Sequence, residues 1–319
     1  MAFSGHALGI AGLTALTLAA LLAGRGKLAG TTLIAPWAWT VLAVSLIGGW
    51  GMFGVTAAPT ARPATWVPPV QYIIASSTFC PIIAVLGARR PQHRGWQWIV
   101  LSLWGIISVP AVMSLLSPSA TFSIHAVWSW FLAVLLVVGL LNYLPTRFAA
   151  AAAAWAAGQA TLMAHQLPGL SRYLAGRGSA ADAAAGFTTA GPSLALGFFA
   201  AAVLLALILA HLPNRRDTNG FDRLWTDYRN SFGAVWAVRL ADRINDHARR
   251  SGWPVALRWN GFRPTAEDSR HDRRPGLAPA EHQALQQDML NYLRRFVSDP
   301  WIQHRLAIGT AQPVGVSQD

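Results

Sequence analysis

The chain has 319 residues, 53% of them hydrophobic and 12% charged, against about 25% charged in a soluble globular chain. Its formal net charge is +12, but the basic residues fall in short clusters between apolar runs, which reads as membrane topology and excludes a nucleic-acid footprint. One cysteine, Cys80, excludes an intrachain disulfide and a cysteine-based zinc site, and reads as a small buried hydrophobe.

A helix needs ~20 mainly apolar residues to cross hydrocarbon. In chain order, the runs 7–24, 33–54, 70–88, 96–116, 126–145, 148–167 and 190–212 meet or approach that length, and none contains Asp, Glu, Lys or Arg. The first does not read as a signal peptide, because MAFSGHALGI has no basic residue and Arg25 and Lys27 follow the apolar stretch. It is expected to stay as a span with its N-terminus outside. The sixth is alanine-rich and only moderately hydrophobic, which leaves six spans with a re-entrant or interfacial segment as an alternative. Pro81, Pro110, Pro192 and the GGWG at 48–51 read as kinks and close helix packing. A broken helix lining a substrate site is the other reading of these residues. Trp37, Trp66, Trp96, Trp98, Trp128 and Trp130 fall near expected span ends, as in an aromatic belt.

Seven crossings make alternate connections cytoplasmic. RGK at 25–27, RRPQHR at 89–94, PTR at 145–147 and NRR at 214–216 would then face inward, while the outer connections are longer and nearly uncharged. The positive-inside rule gives an N-outside, C-inside bundle. All basic residues but Lys27 are Arg, and with the many Ala and Gly this reads as GC-rich bacterial coding, hence a bacterial inner membrane.

The first acidic residue is Asp182, so residues 1–181 carry no carboxylate side chain. Ion-coupled transport, two-carboxylate hydrolysis and Mg²⁺-dependent phosphoryl transfer within the bundle all need one, and are disfavoured. Histidine remains. His6, His125 and His165 map to the outer ends of spans one, five and six; two facing imidazoles can ligate haem iron, and three can hold a metal. The bland reading is that a histidine is comfortable where its polar tip meets water.

After LPNRRDTNG, the segment 219–250 carries Phe221, Leu224, Trp225, Tyr228, Phe232, Val235, Trp236, Leu240 and Ile244 at steps of three and four, one apolar stripe over about seven turns. Asn219 is the expected N-cap, Asp222 suits the helix dipole, and Asp246 is spaced to pair with Arg250. Gly252 and Pro254 end the helix. Asn260-Gly261 signals a short hairpin whose return arm Pro264 cuts short, and 264–276 is a polar loop. Helices follow from Pro279 to Val297 and from Pro300. No phosphate loop, nucleophile elbow or metal-ligand spacing occurs.

The expected fold is all-α: a polytopic membrane helical bundle over 1–212 with a small, mainly helical cytoplasmic domain over 213–309 and a disordered tail over 310–319. The leading expectation is a non-catalytic subunit, assembly factor or scaffold whose partners are the lipid bilayer and another protein. Trp225, Tyr228, Phe232 and Trp236 are its candidate docking residues. The alternatives are a haem-binding or haem-handling protein using His125, His165 and His6, and an uncoupled transporter or facilitator.

Overall fold

The computed structural model describes residues 5–56, 64–90, 92–117, 122–170, 180–212, 220–265 and 279–310. It is about 80% helical with almost no strand, as an all-α membrane bundle should be. Six helices are long and apolar enough to cross a membrane. The chain divides into two compact units, one formed by Met1–Lys27, Leu33–Ala88 and Gln92–His211, the other by Leu28–Thr32, Arg89–Pro91 and Leu212–Asp319.

The first unit contains α1 (Gly5–Gly24), α2 (Ile34–Thr56), α3 (Val67–Ser76), α4 (Cys80–Leu86), α5 (His93–Leu116), α6 (Ala126–Tyr143), α7 (Ala149–Leu162) and α8 (Ala180–His211). These helices are apolar all round, which a protein tolerates only in a deep core or in lipid. Lipid is the consistent choice, because α6 is buried over just 11% of its length and Leu116, Val127 and Leu8 are exposed. Small residues let α1 and α2 approach closely: a Cβ on Gly48 would strike Thr14, and one on Gly51 would sit 3.1 Å from Ile10. Thr14 and Thr17 donate their hydroxyls to the carbonyls of Ile10 and Leu13, so neither is left bare in hydrocarbon.

The third apolar run is not one continuous helix. Pro81 has no amide hydrogen to offer Ser77 one α-turn back. The Cys80 N–H takes the Ser77 carbonyl instead and closes a 3₁₀ turn over Ser77–Phe79 between α3 and α4. With 61% of its length buried, this segment is the least lipid-exposed of the six. Ser76, Ser77 and Thr78 return their hydroxyls to the carbonyls of Ile73, Ile74 and Ala75. Buried Gln159 of α7 donates to the Thr78 carbonyl at 3.0 Å.

The sixth run also differs from expectation. Its helix α7 has 14 residues, or about 21 Å at 1.5 Å per residue, short of the ~30 Å core. Turns follow from Met163 to Pro168, and Gly169 is left-handed at φ +82°. It is a packed member of the bundle nonetheless: a Cβ on Gly158 would meet the Phe199 ring at 2.6 Å, and Trp155 lies 4.4 Å from that ring.

The second unit is built around α9 (Gly220–Arg250), the hairpin β1 (Val255–Arg258) and β2 (Gly261–Pro264), α10 (Pro279–Leu293) and α11 (Asp299–Thr310). The expected continuous stripe is interrupted at Gly233, whose φ of 80° and ψ of −178° divide α9 in two. Gly252, at φ +70°, ends the helix in a Schellman arrangement: Trp253 N–H binds the Ala248 carbonyl and Gly252 N–H binds that of Arg249. The return arm of the hairpin is not cut short, since Pro264 pairs with Val255 as its last rung. One ion-pair expectation changes in detail, and the acidic residue of the first turn has a second role. The Asp246 carboxylate takes Arg249, leaving Arg250 to bond the Asp246 carbonyl, and Asp222 accepts the Phe262 N–H. Two bundle connections complete the unit through backbone bonds: Thr32 N–H to the Phe296 carbonyl, Ser298 N–H to that of Gly30, and Arg90 N–H to that of Arg295. The expected polar loop over 264–276 and disordered tail over 310–319 lie almost wholly outside the described residues.

Gln159→Leu removes the buried donor that supports the helix break. It should lower the thermal midpoint of the detergent-solubilised protein, reflecting a loss of about 1 kcal/mol. An unchanged midpoint would show that the break stands without Gln159.

Candidate functional site

The predicted histidines lie in the first unit. His125 is the N-cap of α6, with φ −65° and ψ 148°, and its Nδ1 accepts the Val127 N–H at 3.4 Å. A neutral imidazole that accepts at Nδ1 carries its proton on Nε2, so ligating an iron would need a change of tautomer or loss of the cap. His165 lines a cavity of about 620 Å³ with Phe122, Ser123, Ser129, Trp130 and Gln166. That volume falls in the range of small-molecule sites, ~300–1,000 Å³. Two serines, a glutamine, an imidazole and an indole line it, with no carboxylate among its described lining residues. The cavity therefore offers hydrogen bonding and stacking. His6 is elsewhere, with Nε2 3.4 Å from the Ser193 hydroxyl. Among the described residues no three His, Cys, Asp or Glu side chains gather as a metal site.

Tryptophan does more than form a belt. Trp66, Trp98 and Trp130 are exposed, as belt residues should be. Trp37 and Trp96, however, donate their indole N–H groups to the carbonyls of Leu21 and Ile83. Trp104 reaches the Ile73 carbonyl and the Ser76 hydroxyl, so it joins Gln159 in supporting the broken segment. Gln159 and the Ser76–Thr78 hydroxyls carried no prediction of function; their one sequence signal was a run of hydroxyl residues just before Pro81.

The candidate docking residues lie in the second unit, and three of the four are committed to its core. Trp225, Tyr228 and Phe232 are buried. Tyr228 and Phe232 stack at 4.9 Å, and both meet Phe296 edge-on. The Trp225 indole holds the carbonyls of Arg258 and Trp259 at the hairpin turn. Buried Arg229 bonds the same Trp259 carbonyl and lies 4.7 Å over its ring. Asn245 clasps Leu257 from the other side, accepting its N–H and donating to its carbonyl. Trp236 is half-buried, edge-on to Phe296 at 4.8 Å with the Arg239 guanidinium 5.2 Å over its ring.

Burial pushes the Tyr228 phenol well above its ordinary value of 10, and its hydroxyl has no hydrogen-bond partner among the described residues. As pH rises above about 10, an unfolded tyrosine ionises while the folded one stays neutral, so folding stability falls in that range. Tyr228→Phe should therefore be neutral or stabilising near pH 7 and should blunt the alkaline loss, measured by urea unfolding at pH 7 and above pH 10. A marked loss at pH 7 would reveal a hydroxyl contact.

Comparison with protein-family models, curated proteins and solved structures finds no match for this chain.

Proposed function

We propose that the chain is a non-catalytic multi-pass protein of a bacterial inner membrane. Its N-terminus is outside and its C-terminal unit cytoplasmic, and it serves as a subunit, assembly factor or scaffold that docks another protein. The observation that carries this reading is the chemistry of the bundle. No carboxylate precedes Asp182, and the polar groups of the broken segment are spent on one another. Such an interior supports packing, and the helices that precede Asp182 carry no carboxylate to load and release a coupling ion.

A parity argument supports seven crossings over six. Gly30, Arg90 and the stretch Arg295–Ser298 share backbone hydrogen bonds, and so belong on one side of the membrane. Between Arg90 and Arg295 the chain must then cross an even number of times. Helices α5, α6 and α8 supply three crossings, and the segment that begins with α7 supplies the fourth. The basic connections at 25–27, 89–94 and 145–147 give that side its identity as the cytoplasm.

Docking is supported by what remains outside the core of the second unit. Val238 is 51% exposed and Trp236, on the same helix, is half-buried, and tryptophan is a recurrent anchor of protein interfaces.

A cytoplasm-active reporter should work when fused after Lys27, after Arg90 or after Leu212, and fail when placed at 118–121. Activity of the Leu212 fusion on the outside alone would overturn the seven-crossing reading. In mild detergent the full chain should retain a partner in fixed ratio, and Trp236→Ala with Val238→Asp should reduce that retention at least tenfold without loss of the folded protein. Retention unchanged by the pair would place docking elsewhere.

A further inference from the structure

Two arginine pairs far apart in sequence, Arg89-Arg90 and Arg294-Arg295, are brought side by side in the second unit by the bond from Arg90 N–H to the Arg295 carbonyl. Arg294 is neutralised, with Nε 2.7 Å from Asp299 and Nη1 3.1 Å from Asn291. The other three are not. Arg90 reaches the Gly30 carbonyl with its side chain, at 3.4 Å, and Arg295 lies 5.6 Å over the Tyr292 ring. Among the described residues no carboxylate pairs with Arg89, Arg90 or Arg295. The Arg90–Arg295 backbone bond puts the three on one patch of the second unit, where like charges repel unless an anion is supplied.

We propose that Arg89, Arg90 and Arg295 hold the phosphate of an anionic phospholipid. Guanidinium forks match phosphate oxygens two at a time. The source of the phosphate follows from chain position, since only Gly87 and Ala88 separate Arg89 from the end of the apolar helix α4. Arginines so placed stand at headgroup level. The proposal rests on the membrane reading alone and is indifferent to the docked partner.

The test uses the full chain in phosphatidylcholine nanodiscs containing a minor fraction of phosphatidylglycerol, with bound lipid read by native mass spectrometry. Each arginine near an anionic surface is worth ~1 kcal/mol, so Arg90→Gln and Arg295→Gln should each lower phosphatidylglycerol retention about fivefold, and the double variant about twentyfold. The charge-matched control Arg250→Gln with Arg263→Gln should leave retention within about twofold. Equal loss in that control, or equal retention of phosphatidylcholine, would overturn the site. Displacement of the lipid by millimolar inorganic phosphate would assign the arginines to a free anion and overturn the lipid. Sedimentation of the protein outside the membrane fraction would instead overturn the membrane reading itself.

Discussion

Hydrocarbon offers no hydrogen bonds, so every polar group that enters it must be satisfied by the protein. That constraint explains most of the first unit. Thr14 and Thr17 turn back on their own helix. Trp37, Trp96 and Trp104 bond the carbonyls of neighbouring segments. At the interruption between α3 and α4, three hydroxyls and Gln159 supply what the regular ladder cannot. A broken helix inside a bundle invites the idea of a ligand site, yet here the groups it frees already have protein partners.

The second unit obeys a different rule. Its order comes from aromatic burial around Tyr228, Phe232 and Phe296, with the hairpin fastened to α9 by Trp225, Arg229 and Asn245. The division at Gly233 lets one chain segment present two helical faces to this core. Had α9 run straight, a stripe of period 3.6 would have faced a single direction over its whole length.

How much of this was legible in the sequence follows from the range of each interaction. The apolar segments were readable because crossing depends on length and composition, which are local. The Gly252 terminus and the Asn260-Gly261 hairpin were readable for the same reason. The shortness of α7 was only half visible, since alanine suits a lipid helix and a packed one alike. Gly233 gave no warning, because a glycine inside a periodic stripe is ordinarily tolerated. Least legible were the tertiary roles. Trp225, Tyr228 and Phe232 were candidates for a partner's surface, and burial by residues far along the chain gives them to the interior instead. The cap that His125 forms and the cavity that His165 lines, with Ile124 and Ala126 from either side of His125, were likewise invisible in the sequence.

The bonds between Gly30, Thr32 and the stretch Phe296–Ser298 have a temporal meaning. Translation delivers the first of these residues long before the last. Membrane insertion of the helices in between must therefore proceed while the Gly30 carbonyl and Thr32 amide wait on water. The second unit cannot mature domain by domain behind the ribosome. Its seam closes only after residue 298 is made, so a nascent chain that stalls before residue 296 leaves the Thr32 amide without its native partner.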